Sequence, residues 1–140
     1  MSNSIQFPYS QQDAATGTAS LLPYLPIKLS YQNKEVDTEG LLDTGSTVNV
    51  LPYDLGVQLG GIWDNQQTSI QLTGNLANFE ARAILLTGHV GNLSPVHLAF
   101  AWTKADNVPL ILGQINFFME FDICFYRARE LFEIRPKTTP

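Results

Sequence analysis

A single cysteine, Cys124, in 140 residues leaves no intrachain disulfide to hold a fold together. The chain also lacks a basic run: eight Lys and Arg stand against thirteen Asp and Glu, for a net charge of −5. Nucleic acids and anionic membrane surfaces need clustered cations to displace counterions, so neither is expected as a partner. No apolar stretch approaches the roughly 20 residues needed to cross a bilayer. The first residues lack the basic and then apolar pattern of a secretory signal. A soluble protein in a reducing, cytoplasmic setting is the expectation. Charged residues are only 15% of the sequence and hydrophobic ones 44%, so the chain can bury a core without metals or disulfide staples. Its 140 residues supply one domain, too little for a two-lobed enzyme.

What is present is a succession of short strand patterns. Residues 1–20 are rich in Ser, Gln, Thr and Ala with scattered Ile5, Phe7 and Tyr9, and read as a flexible tail. From there the domain is expected to run over 21–136, with 137–140 frayed. Leu25, Ile27, Leu29 and Tyr31 alternate with Pro26, Lys28 and Ser30, the period of a half-buried strand. Residues 35–42 form the next strand and deliver Asp43-Thr44-Gly45-Ser46 into a loop. A short strand over 48–51 follows, then one or two helical turns between Pro52 and Gly60. Residues 68–73 and 79–87 predict a hairpin whose tip holds Gly74, Asn75 and Leu76. Val96, Leu98, Phe100 and Trp102 alternate again, and 110–113 is a short apolar run. Ile115, Phe117, Phe118 and Phe121 then fall at helical spacing over two turns. Two closing strands, 123–126 and 131–134, flank a charged turn. Many short strands with one short late helix imply an all-β domain, a closed barrel or sandwich.

Asp43-Thr44-Gly45 alone is a weak signal, since a strand-ending turn can have the same letters. Its frame is more specific. Leu41-Leu42 precede it and Ser46-Thr47-Val48-Asn49-Val50-Leu51-Pro52 follow; about 70 residues later come Leu110-Ile111-Leu112-Gly113-Gln114, Phe117-Phe118 and Phe121-Asp122. Together these resemble the two signatures of the retropepsin-like aspartic proteases, especially their bacterial single-domain members, over about residues 25–135. The resemblance implies a closed acid-protease β-barrel that is active as a homodimer on polypeptides. It also implies a flap at the 70–81 hairpin, with Gly74, Asn75 and Leu76 against the substrate. Two departures stand out. Gln114 sits where retroviral members carry Arg, and Thr47 where they carry its Asp partner. With both absent, the dimer is expected to use the strands around 21–25 and 131–134, whose pairing between chains would hide exposed edges.

Peptide hydrolysis by carboxylates needs two of them sharing a proton, one as base and one as acid. The chain has one Asp-Thr-Gly, so the second Asp43 must come from a second copy across a two-fold axis. Thr44 is then expected to bond across that axis, as the resemblance implies. Gly45 lets a backbone amide approach the carboxylate, and the Ser46 hydroxyl is expected to donate to its outer oxygen and favour its charged form. No cofactor or metal is called for, since His89 and His97 have no Cys or carboxylate at ligand spacing. Cys124 reads as a small buried hydrophobe, and Trp63 and Trp102 as packing residues. The rival reading is a catalytically silent module of the same fold that binds extended peptides or only dimerises. Tail removal by the enzyme itself, near Phe7-Pro8 or Tyr24-Leu25, is a further expectation.

Overall fold

The computed structural model describes residues 3–11, 20–105 and 107–138. Six strands close into a barrel in the order β2-β3-β7-β4-β6-β5. They are β2 (Tyr24–Tyr31), β3 (Lys34–Leu42), β4 (Asn49–Leu51), β5 (Ala81–His89), β6 (Val96–Thr103) and β7 (Leu110–Leu112). The alternation at Leu25, Ile27 and Leu29 puts all three inside, 3% exposed or less, and the β2-β3 ladder pairs Leu25 with Gly40 and Leu29 with Val36. β3 runs parallel to β7 and β4 parallel to β6, so the chain crosses the barrel between them. Trp102 is fully buried, stacked on Tyr53 of the short helix α1 (Tyr53–Gln58) and edge-on to Trp63 at 5.2 Å. Both tryptophans therefore pack, as their sequence setting predicts.

Beside the barrel lies a three-stranded sheet in the order β1-β9-β8, formed by β1 (Ile5–Pro8), β8 (Phe121–Tyr126) and β9 (Leu131–Pro136). This corrects the reading of residues 1–20 as a tail. Ile5 pairs with Ile134 and Phe7 with Phe132, and the Phe7 ring stacks on Phe132 at 5.4 Å. The three scattered apolar residues suffice for a strand because β9 offers them a fully buried partner face. Pro8, with no N–H to give, ends this edge strand. Residues 12–19 of the expected tail lie outside the described residues. The Phe7-Pro8 and Tyr24-Leu25 bonds, expected near a self-processing site, both fall within paired strands. At the other end, Thr138 donates to Asp122 at 3.3 Å from its N–H and 3.2 Å from its hydroxyl, so 137–138 are not frayed.

The expected use of 131–134 as a dimer edge is also corrected, because β9 is paired on both sides within the chain. Around 21–25, Leu22 bridges Ser10 and Tyr24 pairs with Leu41. The helix expected over two turns from Ile115 is a single turn, α2 (Phe117–Glu120), after which β8 begins at Phe121. The Phe117 and Phe121 rings still meet at 4.9 Å. Pairing of Phe121 with Pro136 outweighs helical propensity there. The 68–73 strand of the expected hairpin is reduced to the Ser69-Arg82 bridge, and its tip is a 3-10 turn, Gly74–Leu76.

Candidate active site

β3 ends at Leu42 and hands Asp43 to a loop that is laced onto the segment after β7. The Asp43 N–H donates to Leu112 O at 3.0 Å, the Gln114 N–H to Ser46 O at 2.9 Å, and the Ile115 N–H to Thr47 O at 2.9 Å. The Asn49 N–H closes the lacing on Ile115 O at 3.0 Å. The two stretches read as signatures are thus one structural unit. Gly113 is required at their crossing, since a Cβ there would stand 2.4 Å from Val48 O.

Beneath the loop sits a side chain that sequence reasoning missed. Asn49, fully buried, accepts the Gly113 N–H at 2.8 Å and donates to Ala99 O at 3.0 Å and to Asn116 Oδ1 at 3.2 Å. Asn116 in turn accepts the Ala99 N–H and donates to His97 O, both at 2.9 Å. The network ties β4, β6 and the Gly113 crossing together with its carboxamide groups satisfied. An Asn inside the apolar run Val48-Asn49-Val50-Leu51 was the available signal.

The half-buried Asp43 receives the Gly45 N–H at 2.9 Å on Oδ1, as the sequence predicts. The Ser46 hydroxyl does not serve the carboxylate. Its single proton goes to Val48 O at 2.7 Å, bracing the loop instead. Thr44 is exposed, and its carbonyl accepts a bond from Gln114 Nε2 at 2.9 Å. Its hydroxyl has no partner among the described residues. Gln114 thus steadies the Asp43 loop from within the same chain.

Asp43 opens onto a cavity of about 360 Å³. Its floor is Val48, Val50 and Ile111, and its far wall is Gln71, Leu72, Thr73, Asn75 and Leu76. Of the tip residues singled out in the sequence, Asn75 and Leu76 line the cavity and Gly74 does not, serving the turn with φ +63°. Val50 and Ile111 were not foreseen, because only the β4-β7 register brings them together. Asp43 is the only charged side chain among the lining residues. A second cavity of about 580 Å³ lies beside Thr44 and Gln114 and is lined by Phe118 and residues of β8, including the half-buried Cys124. His89 lies away from Asp43 on β5, 3.3 Å from the Ser30 hydroxyl. Among the described residues, no three His, Cys, Asp or Glu side chains are grouped to hold a metal ion. Nor is any helix long and apolar enough to cross a membrane.

A crystal structure of a retropepsin-like aspartic protease from Rickettsia conorii matches this architecture with a TM-score of 0.64. The match covers 97% of this chain and 94% of that one, at 16% sequence identity. The chain has a retropepsin-like fold. No protein-family model matches the chain, and no curated protein does. Within the retropepsin-like fold, Asp43 lies at the end of a barrel strand, on a loop crossed by the Gly113 segment, facing a cavity of mixed polar and apolar lining.

Proposed function

We propose that the protein is an aspartic endopeptidase whose active site is completed by a second copy of the chain. The observation that carries this reading is Asp43, half-buried, oriented by the Gly45 amide and set at the mouth of an otherwise uncharged cavity. The retropepsin-like fold supports it. One carboxylate cannot both take a proton from water and give one to the substrate, and the described residues lining the cavity include no second acid. Two copies related by a two-fold axis supply the pair.

In the proposed dyad, like charges held close share one proton. The ionised Asp43 takes a proton from water, and the resulting hydroxide attacks the scissile carbonyl carbon. The protonated Asp43 gives its proton to the carbonyl oxygen, forming a gem-diol. That intermediate collapses as a proton passes to the leaving nitrogen, the C–N bond breaks, and a carboxylic acid and an amine leave. No metal or cofactor takes part in this scheme. Thr44 and Gly45 hold the loop geometry, and Asn75 and Leu76 are proposed substrate contacts.

The contact face is proposed to be the side bearing Thr44, Gln114 and β8. Among the described strands β8 has β9 alone as a ladder partner, so its outer edge is open. The Thr44 hydroxyl and the half-exposed Phe125 flank the adjoining cavity. A cytoplasmic location and polypeptide substrates belong to the same proposal. The test is incubation of the purified protein with unfolded polypeptides between about pH 4 and 7, beside Asp43→Asn. Cleavage is expected in a bell-shaped pH range and is expected to fall at least ~10³-fold in the variant, as for loss of an acid–base group. Undiminished cleavage by Asp43→Asn overturns the role of Asp43, and no cleavage at any concentration favours the silent module.

A further inference from the structure

The chain between Gln66 and Glu80 supplies the whole far wall of the Asp43 cavity, yet has almost no regular structure of its own. Its regular parts are the Ser69-Arg82 bridge and the Gly74–Leu76 turn. Inside it, Gln71 Nε2 donates to Leu72 O at 3.0 Å and Ala77 O at 3.1 Å, which closes the tip locally. Leu72 is buried against Val50, Ala81 and Ala101. A segment of this length resists being fixed, because closing it costs chain entropy.

Its two ends converge on one side chain. Arg82 of β5 donates Nη1 to Trp63 O at 2.9 Å and to Gln66 O at 3.3 Å. The same guanidinium donates Nε and Nη2 to Glu80 Oε2 at 3.1 and 3.0 Å. Its central carbon lies 4.8 Å above the Trp63 ring, which is itself packed edge-on to the buried Trp102. The Lys104 N–H adds a bond to Glu80 O at 2.9 Å. The planar fork of five donors is thus seated on the aromatic core and holds the entry and the exit of the wall at once. Arg82 does not line the cavity, so any effect on substrate passes through the segment it holds.

We propose that Arg82 is a positioning residue for substrate binding: it ties the entry of the 66–80 segment to β5, the strand into which the segment's other end runs, and so sets the wall opposite Asp43. This rests on the reading of Asp43 as the catalytic carboxylate. The Glu80 contact alone adds little, because that carboxylate is 53% exposed. The bonds to the Trp63 and Gln66 carbonyls do the anchoring, and a Lys at this position could reach only part of them.

Two readouts test the proposal in the full chain, with Arg82→Met and Arg82→Lys. The first is amide hydrogen exchange. In Arg82→Met the Leu76, Ala77 and Phe79 amides are expected to exchange about tenfold faster, with β2 and β3 unchanged, since a local opening is freed. The second is steady-state cleavage of a peptide. KM is expected to rise about tenfold, equivalent to about 1.4 kcal/mol, with kcat within about twofold, because the wall binds substrate and transition state alike. Arg82→Lys is expected to fall between Arg82→Met and wild type in both. Unchanged exchange over 66–80 in folded Arg82→Met overturns the clamp. So does exchange accelerated equally across the barrel, which marks a general stability role. Wild-type protein without Asp43-dependent cleavage overturns the reading of the site, and the exchange readout then decides the clamp by itself.

Discussion

At the residue scale, small side chains around Asp43 divide the work by where each proton and each lone pair can go. Gly45 brings an amide to the carboxylate, and a Cβ there would already press on Asp43 Oδ1 at 3.3 Å. Ser46 stands one residue further and serves the loop instead. Its hydroxyl is committed to Val48 O, so Ser46→Ala is expected to leave the pH–rate profile superimposable on that of wild type. The cost should appear as about 1 kcal/mol of stability, the usual worth of one such bond. Thermal unfolding beside a pH–rate series checks both halves; a profile displaced toward higher pH would restore a direct role toward the carboxylate. Asp43-Thr44-Gly45 was legible in the sequence because a residue without a side chain eases the approach of an amide to a carboxylate. The destination of the Ser46 proton was not, since it depends on how the loop folds back at Val48.

At the scale of elements, strands with clean alternation were legible and those completed by a distant partner were not. β2 buries one face against the barrel and its period of two shows it; β6 shows the same alternation from Val96 to Phe100, before both of its faces close in. β1 has too few apolar residues to be recognised until β9 lies beside it. The turn at α2 shares its apolar spacing with a longer helix, and only the β8-β9 ladder decides where it stops. The joint between the two signature stretches rests on Asn49, whose carboxamide reaches three separate segments. Asn49→Ala strands the buried Gly113 N–H and removes one support of Asn116. It is expected to lower stability by about 2–4 kcal/mol, combining lost bonds with an unsatisfied buried donor. Denaturant unfolding measures this; a loss below about 0.5 kcal/mol, within the range of an ordinary surface substitution, would show that the joint holds without the network.

At the scale of the whole molecule, a chain with a retropepsin-like fold presents one Asp43 at the edge of one cavity. The single Asp-Thr-Gly motif is what points to the proposed partner copy in the sequence. The face proposed to meet that copy was not legible there, because strand order cannot be read from local patterns. With β9 enclosed between β1 and β8, the open edge next to Thr44 belongs to β8. The central claim is that each active site needs an Asp43 from both copies. Wild-type and Asp43→Asn chains, unfolded together and refolded in equal amounts, test it directly through cleavage per wild-type chain. Random pairing leaves a wild-type chain paired with another in about half of cases, so activity per wild-type chain is predicted to fall to about half and to keep falling as the variant is added in excess. Activity per wild-type chain that stays constant across the whole mixing series would contradict the shared dyad and place a complete catalytic site in a single chain.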